Sequence, residues 1–326
     1  MPRTVTKASR IPSEKKSAPF LLSVIMRTQG KRPEALADAV LCLQAQTDQA
    51  FELILVAHNA SQSEVKGLEA FVASQPDDLR SRISLISLKG GTRSVPLNAG
   101  VAEARGSHIA VFDDDDLLFA HWVEEFHKAA VKNPGKLLRA QVFNQDVAPE
   151  QWSRGRSGLR TLSWPSKLYP QEFSMVDHIL VNHTPFMSVA FPMELFVELK
   201  QQFNEQLLVV EDWDMIVRGA LLCRVIDIPE VTSIYRQWQR ADNSQAVHAF
   251  DEWKASEALV TATLDSSDLL LPPGSASRIQ DLLVKEEKLS NHSEAVLNIA
   301  FYVRKQGKRA VRVIRKAKAL ARKILR

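Results

Sequence analysis

The stretch GSHIAVFDDDDLLFAHW, residues 106–122, places four consecutive aspartates between two apolar runs. HIAVFD (His108–Asp113) is short and mostly apolar, which is typical of a strand buried on both faces. AHWVEEFHKAAV, residues 120–131, has the apolar spacing of a helix. Because neighbouring carboxylates repel one another, the four aspartates predict either a solvated turn or a site that holds a cation.

The segments before this stretch repeat the same alternation of strand and helix. The predicted strands are Phe20–Met26, Phe51–Ala57 and Ile83–Leu88. The predicted helices are residues 33–46, 61–74 and 94–106, the last ending at Gly106. The second of them begins with a capping box made by Ser61 and Glu64. This order predicts an α/β fold with a mainly parallel, twisted sheet and helices on both faces.

Polar segments follow three of the predicted strands, at residues 27–32, 58–61 and 113–116. Ligands of such sheets bind outside the carboxyl ends of the strands, so we expect the three segments to converge on one crevice. Alternate residues of an extended chain point the same way, which directs Asp113 and Asp115 together into the crevice. Carboxylate oxygens suit Mg²⁺ or Mn²⁺. The alternatives are a solvated acidic turn, or Asp116 as the N-cap of the next helix.

A second acidic cluster begins the segment EDWDMIVRGALL, residues 211–222. Its apolar residues have helical spacing, so Glu211 and Asp212 lie in the first turn of a predicted helix. One interpretation is that they only stabilise the positive end of the helix dipole. The functional interpretation is a general base at the rim of the same crevice.

The composition excludes several classes of protein. The 326 residues are 45% hydrophobic, enough for a sizeable core, and the two cysteines are too few for a disulfide framework or a thiolate zinc site. No stretch approaches the ~20 apolar residues that span a membrane. The sequence contains no Gly-x-x-x-x-Gly-Lys, His-Glu-x-x-His or Gly-x-Ser-x-Gly motif. Hydrolase, zinc and dinucleotide functions therefore have little support.

The net charge of +4 is unevenly distributed along the chain. Residues 304–326 carry eleven Lys or Arg and no acid, and residues 1–17 carry +4, so residues 18–303 carry −11. The acidic body argues against nucleic acid as the main partner. Residues 304–326 also contain an apolar stripe at helical spacing, which predicts a basic amphipathic helix able to lie on an anionic membrane surface. The alternatives are docking against the acidic body and a solvated helix.

These segments resemble a known family. The stretch at residues 23–56 is similar to the opening of glycosyltransferase family 2, and residues 90–118 resemble the segment that leads to its aspartate-x-aspartate motif. EDWDMIVRGA resembles the catalytic-base motif, and residues 231–244 are similar to the strand that usually ends the catalytic domain. The resemblance covers residues 20–245. It implies an A-type glycosyltransferase fold, a nucleotide-diphosphosugar donor and inverting transfer to an acceptor hydroxyl.

The resemblance also implies roles for individual residues. Asp113 and Asp115 correspond to the metal-binding aspartates for Mg²⁺ or Mn²⁺, and Asp114 to a residue near the ribose. Asp212 corresponds to the catalytic base, with Glu211 in the same motif. The remaining donor-site candidates are Thr28, His58, Arg93 and Asn98. Residues 146–182 correspond to acceptor-site loops, where Trp164 and Tyr169 could stack on a sugar or pack against the domain.

Three departures from the family pattern leave questions open. The first strand ends in Arg27, where the family usually has proline. The family's aspartate pair after the second strand is replaced by Ala57 and His58, so the sequence does not identify the nucleobase. Many relatives carry a metal-binding histidine near Trp238; His248 could replace it, or could simply begin the next helix.

The chain is expected to divide into three parts. Residues 1–17 are a basic leader, 18–265 the catalytic domain, and 266–326 a helical extension that ends in the basic helix. We expect a cytoplasmic protein, peripheral at the inner membrane face if that helix binds lipid. A glycan or lipid-linked acceptor would fit such a location, in cell-surface glycan or polysaccharide synthesis.

Two other functions remain open at this point. A sugar-phosphate nucleotidyltransferase uses paired aspartates on a similar sheet, although RTQGKRPE (residues 27–34) only faintly resembles its glycine- and basic-rich loop. The other is a non-catalytic, membrane-docked binding module of the same fold. The two intact acidic motifs argue against that module, because a non-catalytic protein has no physical need to keep them.

Overall fold

The computed structural model describes residues 6–7, 20–151, 157–166, 169–238, 249–266 and 268–286. The chain divides into two compact units, Met1–Pro272 and Pro273–Arg326. The expected division at residues 17 and 265 remains a prediction. His248 and residues 304–326, for which functions are predicted, lie outside the described residues.

The first half of the sheet is parallel at its centre, as the sequence predicts. Its strands are β1 (Thr6–Lys7), β2 (Leu22–Thr28), β3 (Phe51–His58), β4 (Ile83–Leu88) and β5 (His108–Val111). They lie in the order β1-β4-β3-β2-β5, and all but the antiparallel β1 run parallel. The connecting helices are α1 (Pro33–Gln44), α2 (Gln62–Ala73), α3 (Asp77–Arg80) and α4 (Ser94–Glu103).

The second half of the sheet mixes both strand directions. Its strands are β6 (Leu117–Leu118), β7 (Leu137–Gln151), β8 (Ser157–Thr161), β9 (Val189–Pro192) and β10 (Val225–Trp238). β9 is antiparallel to β5 and β7, whereas β10 is parallel to β7 and antiparallel to β6. β8 folds back on the outer end of β7. The predicted fold class is confirmed, with antiparallel strands added to its parallel centre.

Five further helices accompany these strands in the described part of Met1–Pro272. They are α5 (Trp122–Lys132), α6 (Met175–Leu180), α7 (Met193–Val197), α8 (Glu211–Cys223) and α9 (Phe250–Asp265). A 3₁₀ turn, Phe186–Ser188, precedes β9. Residues 146–182 therefore contain the end of β7, the hairpin strand β8 and helix α6, which their polar composition did not predict.

The helix ends show which local sequence patterns determined the structure. The Ser61 side chain accepts a hydrogen bond from the Glu64 backbone nitrogen, and the Ser61 backbone nitrogen donates to the Glu64 carboxylate, so the predicted capping box of α2 is confirmed. The prediction that a helix runs to Gly106 is wrong, because α4 ends at Glu103. At Gly106 the chain passes against β2, where a Cβ would lie 2.6 Å from the Ser23 nitrogen. Glycine is needed there for this close approach.

The parallel strands bury apolar side chains on both faces of the sheet. In β2, Leu22, Val24 and Met26 belong to one buried cluster with side chains of α1, α2 and α5. Ile25 points to the opposite face, into a cluster with side chains of α4, α7 and α8. This two-sided burial explains the continuous apolar runs in the sequence. The polar residues come at the carboxyl ends of these strands, where ligands of such sheets bind.

The unit Pro273–Arg326 contains a helix over residues 275–286 within its described part. None of the helices that the structure describes has the length and apolar character needed to span a bilayer.

Candidate active site

The carboxyl ends of β2 and β5 meet through direct contacts between their polar side chains. Arg27 donates from Nε and Nη2 to the two carboxylate oxygens of Asp113, at 3.0 and 2.6 Å. The next residue, Thr28, donates from Oγ1 to Asp114 Oδ2 at 2.6 Å. Two of the three predicted strand ends therefore converge, and they join through hydrogen bonds between neighbouring strands.

The four aspartates alternate between exposed and buried positions, as the sequence predicts. The side chains of Asp113 and Asp115 are 28% and 23% exposed, whereas that of Asp114 is 3% exposed and Asp116 is buried. Asp116 Oδ1 accepts a hydrogen bond from the Arg236 backbone nitrogen at 2.8 Å. The alternative that Asp116 caps the next helix is wrong, because α5 begins at Trp122.

Burial perturbs the two inward-pointing aspartates. Burial raises the pKa of Asp114 to about 6, although the charge of Arg32 opposes this shift. Burial, and then the negative charge of Asp115, raise the pKa of Asp116 well above its ordinary value. For Asp113, burial acts in the same direction, but the pKa is lowered because the charge of Arg27 outweighs it. The outward Asp113 carboxylate therefore remains ionised more readily than the inward carboxyls of Asp114 and Asp116.

Arg32, just before α1, forms a second bridge to the turn. Its Nη2 lies 2.5 Å from Asp114 Oδ1, and its Nη1 lies 2.7 Å from Asp115 Oδ2. The guanidinium also lies over the Trp238 ring, 5.1 Å from its centre, at the end of β10. Arg32 is more than a third exposed, so it can move away from Asp115 at a modest cost.

Glu211 opens α8 and is held by two arginines from other elements. Its Oε1 lies 2.6 Å from Arg27 Nη1 and 2.9 Å from Arg93 Nε. Burial raises the pKa of Glu211, but the charges of Arg93 and Arg27 together lower it to about 2. Arg27 therefore joins the two acidic motifs directly, because it bonds to Asp113 and Glu211 at once.

Asp212 has a different environment, although it is the next residue. Its Oδ2 accepts a hydrogen bond from Asn182 Nδ2 at 2.9 Å. Burial, and then the negative charge of Glu211, raise the pKa of Asp212 to about 6. Tyr169 lies close to the same group: burial and the charges of Asp116 and Asp212 raise its pKa to about 12. Two adjacent carboxyls with pKa values on opposite sides of the ordinary range are typical of a catalytic pair.

The backbone before α8 is unusual for the residue that occupies it. Val210 has φ 60° and ψ 24°, the left-handed conformation. A β-branched residue rarely adopts it, and such strain persists only where surrounding contacts determine the conformation. The bonds of Glu211 to two arginines and of Asp212 to Asn182 are such contacts.

Two other donor-site candidates form bonds within the protein. His58 Nε2 lies 3.0 Å from the Gly90 carbonyl oxygen, and burial lowers the pKa of His58. Asn98 bonds to both backbone polar groups of Phe203, at 2.9 and 3.0 Å, and its Nδ2 also lies 3.1 Å from Glu205. The Asn98 amide thus holds the segment that precedes α8.

The donor set fits a divalent ion that takes part of its coordination from substrate. Within the described ranges, no group of three or more His, Cys, Asp or Glu side chains is arranged to hold a metal. Mg²⁺ needs only one or two protein carboxylates when water and phosphates complete its shell. The partly exposed carboxylates of Asp113 and Asp115 are enough in number for such an ion, and each is paired with an arginine here, Asp113 with Arg27 and Asp115 with Arg32.

Sequence reasoning missed several residues of this cluster. The sequence marked Arg27 only as a departure from the family pattern and predicted no role for Arg32, Asn182 or Tyr235. Burial, and then the charge of Asp116, raise the pKa of the Tyr235 phenol, on which Asp212 also acts. Charge balance could have indicated the arginines, because adjacent buried acids need cationic partners. Asn182 and Tyr235 come from a loop and from β10, and no sequence pattern links them to Asp212. Trp164 is 91% exposed, so the expectation that it could pack against the domain is wrong.

Comparison with known proteins identifies the family of this chain. The family model described as Glycosyl transferase family 2 matches residues 23–196, more than half of the chain. The matched span contains the aspartate turn and ends before α8. None of the curated proteins matches this chain in sequence.

Solved structures with a similar fold include two complexes with nucleotide sugars. One is S. aureus TarS 1-349 in complex with UDP-GlcNAc, with a TM-score of 0.57, 14% identity and coverage of 77% of this chain and 68% of that chain. Another is the mannosyltransferase PcManGT from Pyrobaculum calidifontis in complex with GDP-Man and Mn²⁺. Its TM-score is 0.54 at 14% identity, with coverage of 79% of this chain and 69% of that chain. At this identity the similarity shows the fold alone.

Proposed function

Because this chain belongs to glycosyl transferase family 2, we propose that it moves a sugar, with inversion, from a nucleotide-diphosphosugar to an acceptor hydroxyl. The observation that carries the proposal is the bridge through Arg27, which joins the aspartate turn to the start of α8. This bridge supports a site in which partly exposed carboxylates suited to a metal lie with a separate carboxyl of raised pKa. In direct displacement a metal stabilises the leaving diphosphate and a base accepts the acceptor proton.

The donor is proposed to bind at the carboxyl ends of β2, β3 and β5. Solved relatives of similar fold bind UDP-GlcNAc in one case and GDP-Man with Mn²⁺ in another, which supports a nucleotide-diphosphosugar here. Asp114 and Thr28 would contact the nucleotide, Arg93 the phosphates and His58 the base. Asn98 would act indirectly, by holding the segment before α8.

Asp113 and Asp115 are the residues proposed to hold Mg²⁺ or Mn²⁺. When bound, the ion would supply positive charge against the diphosphate that leaves the sugar. Arg32 would have to release Asp115 for this, which its partial exposure permits. Without the ion, Arg27 and Arg32 offset the negative charge of the aspartate turn.

Asp212 is proposed to accept the proton of the acceptor hydroxyl as that oxygen attacks the sugar. A pKa of about 6 leaves the carboxylate ionised at neutral pH while making it a better base than an ordinary aspartate. Asn182 orients the carboxylate through its hydrogen bond. Glu211 is bound by two arginines, so we assign it to holding the base rather than to proton transfer.

The acceptor side is proposed to accommodate a glycan or a lipid-linked sugar. Trp164 offers an exposed ring for stacking, and Tyr169 lies near Asp212. The basic stretch 304–326 would bring such an acceptor within reach by binding an anionic membrane surface from the cytoplasmic side.

Nucleotide release from a panel of nucleotide sugars with Mn²⁺ tests the proposal. Asp115→Ala should reduce release at least tenfold, and so should removal of the ion with EDTA. Asp212→Asn should reduce transfer roughly 10²–10⁴-fold, the usual contribution of a positioned base. Asp77→Asn removes an exposed acid of α3, outside the proposed site, and serves as the matched control.

The possible outcomes separate the alternative functions. Unchanged release in both site variants would refute the mechanism. Activity only with nucleoside triphosphates, with release of pyrophosphate, would favour a sugar-phosphate nucleotidyltransferase. Nucleotide binding without any turnover across the panel would favour a binding module.

A further inference from the structure

Arg27 makes an unusual set of bonds for a residue at the end of a parallel strand. Its guanidinium forms a two-pronged pair with Asp113 and contacts Glu211 Oε1 and the carbonyl oxygen of Arg93, at 2.6 and 3.3 Å. Its side chain is only 11% exposed. A buried guanidinium with this many partners holds them in a fixed arrangement, because its fork is planar and rigid.

The partners of Arg27 belong to three different elements. Asp113 follows β5, Arg93 immediately precedes α4, and Glu211 is the first residue of α8. Of these, the α8 contact is the one that bears on chemistry. Val210, immediately before α8, is in the strained left-handed conformation, so the helix start depends on tertiary contacts rather than on local preference.

We propose that Arg27 is a positioning residue for Asp212. By binding Asp113 and Glu211 together, it fixes the first turn of α8, and with it the Asp212 carboxyl, against the turn that faces the donor. The inference rests on the proposed function in one respect, namely that Asp212 accepts the acceptor proton. The geometric part, that Arg27 determines the environment of Asp212, is independent of the reaction.

The charges around Asp212 make the consequence measurable. The charged groups that act on it are Glu211, which favours the protonated form, and Arg93 and Arg27, which favour the carboxylate. The charge of Asp212 acts in turn on the phenols of Tyr169 and Tyr235. Without the positive charge of Arg27, the negative charge of Glu211 is less compensated. Asp212 should therefore keep its proton to a higher pH.

Two substitutions of Arg27 separate its charge from its shape. Arg27→Met removes the charge and keeps most of the length, whereas Arg27→Lys keeps the charge but cannot form the two-pronged pair. Arg218→Met is the matched control: Arg218 pairs with buried Asp214 on the same helix at 2.5 Å. That pair is equally an arginine bound to a carboxylate, but the described bonds of Arg218 go to Asp214, Gln201 and Gln202 and not to Asp113, Glu211 or Asp212.

The first measurement is a titration of Asp212 by ¹³C NMR in protein with labelled aspartate carboxyls, with the resonance identified by its loss in Asp212→Asn. We expect the midpoint to rise by about half a unit or more in Arg27→Met. It should stay within about 0.2 units of wild type in Arg27→Lys and Arg218→Met. An unchanged midpoint in Arg27→Met, or an equal shift in Arg218→Met, overturns the inference.

The second measurement is the pH dependence of kcat for sugar transfer. Arg27→Met should lower kcat roughly 10- to 100-fold, because a base displaced by about 1 Å loses about that much rate. It should also move the acidic limb of the pH-rate profile to higher pH, because Asp212 keeps its proton to a higher pH. In Arg27→Lys the acidic limb should lie at its wild-type pH, whereas kcat should be only partly restored. Wild-type kcat in Arg27→Lys overturns the positioning role, even if Arg27→Met does not fold.

These two measurements also distinguish this inference from the proposed function. If no nucleotide sugar supports transfer by the wild-type protein, the proposed function fails. The carboxyl titration then still decides whether Arg27 controls Asp212.

Discussion

At the scale of single residues, Glu211 and Asp212 show how neighbours in sequence acquire opposite properties. Two arginines lower the pKa of Glu211 to about 2 against the effect of burial. Burial, and then the negative charge of its neighbour Glu211, raise the pKa of Asp212 to about 6. The raised group is the one suited to accept a proton near neutral pH.

The pH dependence of transfer should therefore report Asp212. An acid whose pKa is raised in the folded protein is protonated, and inactive as a base, below that pKa. We expect kcat to fall about tenfold for each pH unit below about 6. The pH-rate profile checks this expectation, with Asp212→Asn as the control that should lose the limb. A limb near the ordinary aspartate pKa of about 4 would contradict it.

The inward and outward aspartates should respond differently to neutralisation. Asp116 is buried with a raised pKa and accepts one backbone hydrogen bond, which an amide can also accept. Asp116→Asn should therefore cost less than about 1 kcal/mol of unfolding free energy. Asp113→Asn leaves buried Arg27 short of a carboxylate and should cost about 2–3 kcal/mol. Urea denaturation of both variants measures the difference, and equal losses would count against this assignment.

At the scale of elements, the close approach of α4 to β2 depends on a glycine. A Cβ at Gly100 would lie 2.7 Å from Ile25 Cγ2 and 2.9 Å from its Cδ1, in the buried cluster under the sheet. Gly100→Ala should destabilise the protein by about 1–3 kcal/mol, because the overpacking exceeds the helix propensity gained, about 1 kcal/mol.

A second helical glycine provides the control for that prediction. Gly67 lies within α2, and a Cβ there meets nothing within 4 Å. Gly67→Ala should therefore stabilise the protein by up to about 1 kcal/mol. Thermal and urea denaturation of the two variants should give shifts of opposite sign. Stabilisation of both would mean that α4 can move away from β2 without cost.

At the scale of the whole molecule, the charge is strongly segregated along the chain. Residues 304–326 carry +11, whereas residues 18–303 carry −11. Basic residues near an anionic bilayer contribute about 1 kcal/mol each, and salt screens the attraction. The full chain should therefore sediment with anionic vesicles at low salt and be released at about 0.5 M salt. Deletion of 304–326 should abolish sedimentation; binding to neutral vesicles, or by the truncated chain, would contradict this.

The degree to which the sequence predicted the structure follows the range of the interactions. The parallel strands and the capping box were predictable because apolar runs and caps are local patterns. The outer end of β7 and the hairpin with β8 were not, because their polar residues are stabilised by pairing with each other. The exposure pattern of the aspartate turn was predictable from alternation alone.

The sequence by itself determined the fold class, the order of the parallel strands' segments and the two acidic motifs, since each depends on residues close together in the chain. Only the tertiary structure decided that Arg27 joins those motifs, that Asn182 holds Asp212, and that Glu211 and Asp212 differ in pKa. The physical reason is that hydrogen bonds and charge interactions act over a few ångströms of space, whatever the separation in sequence.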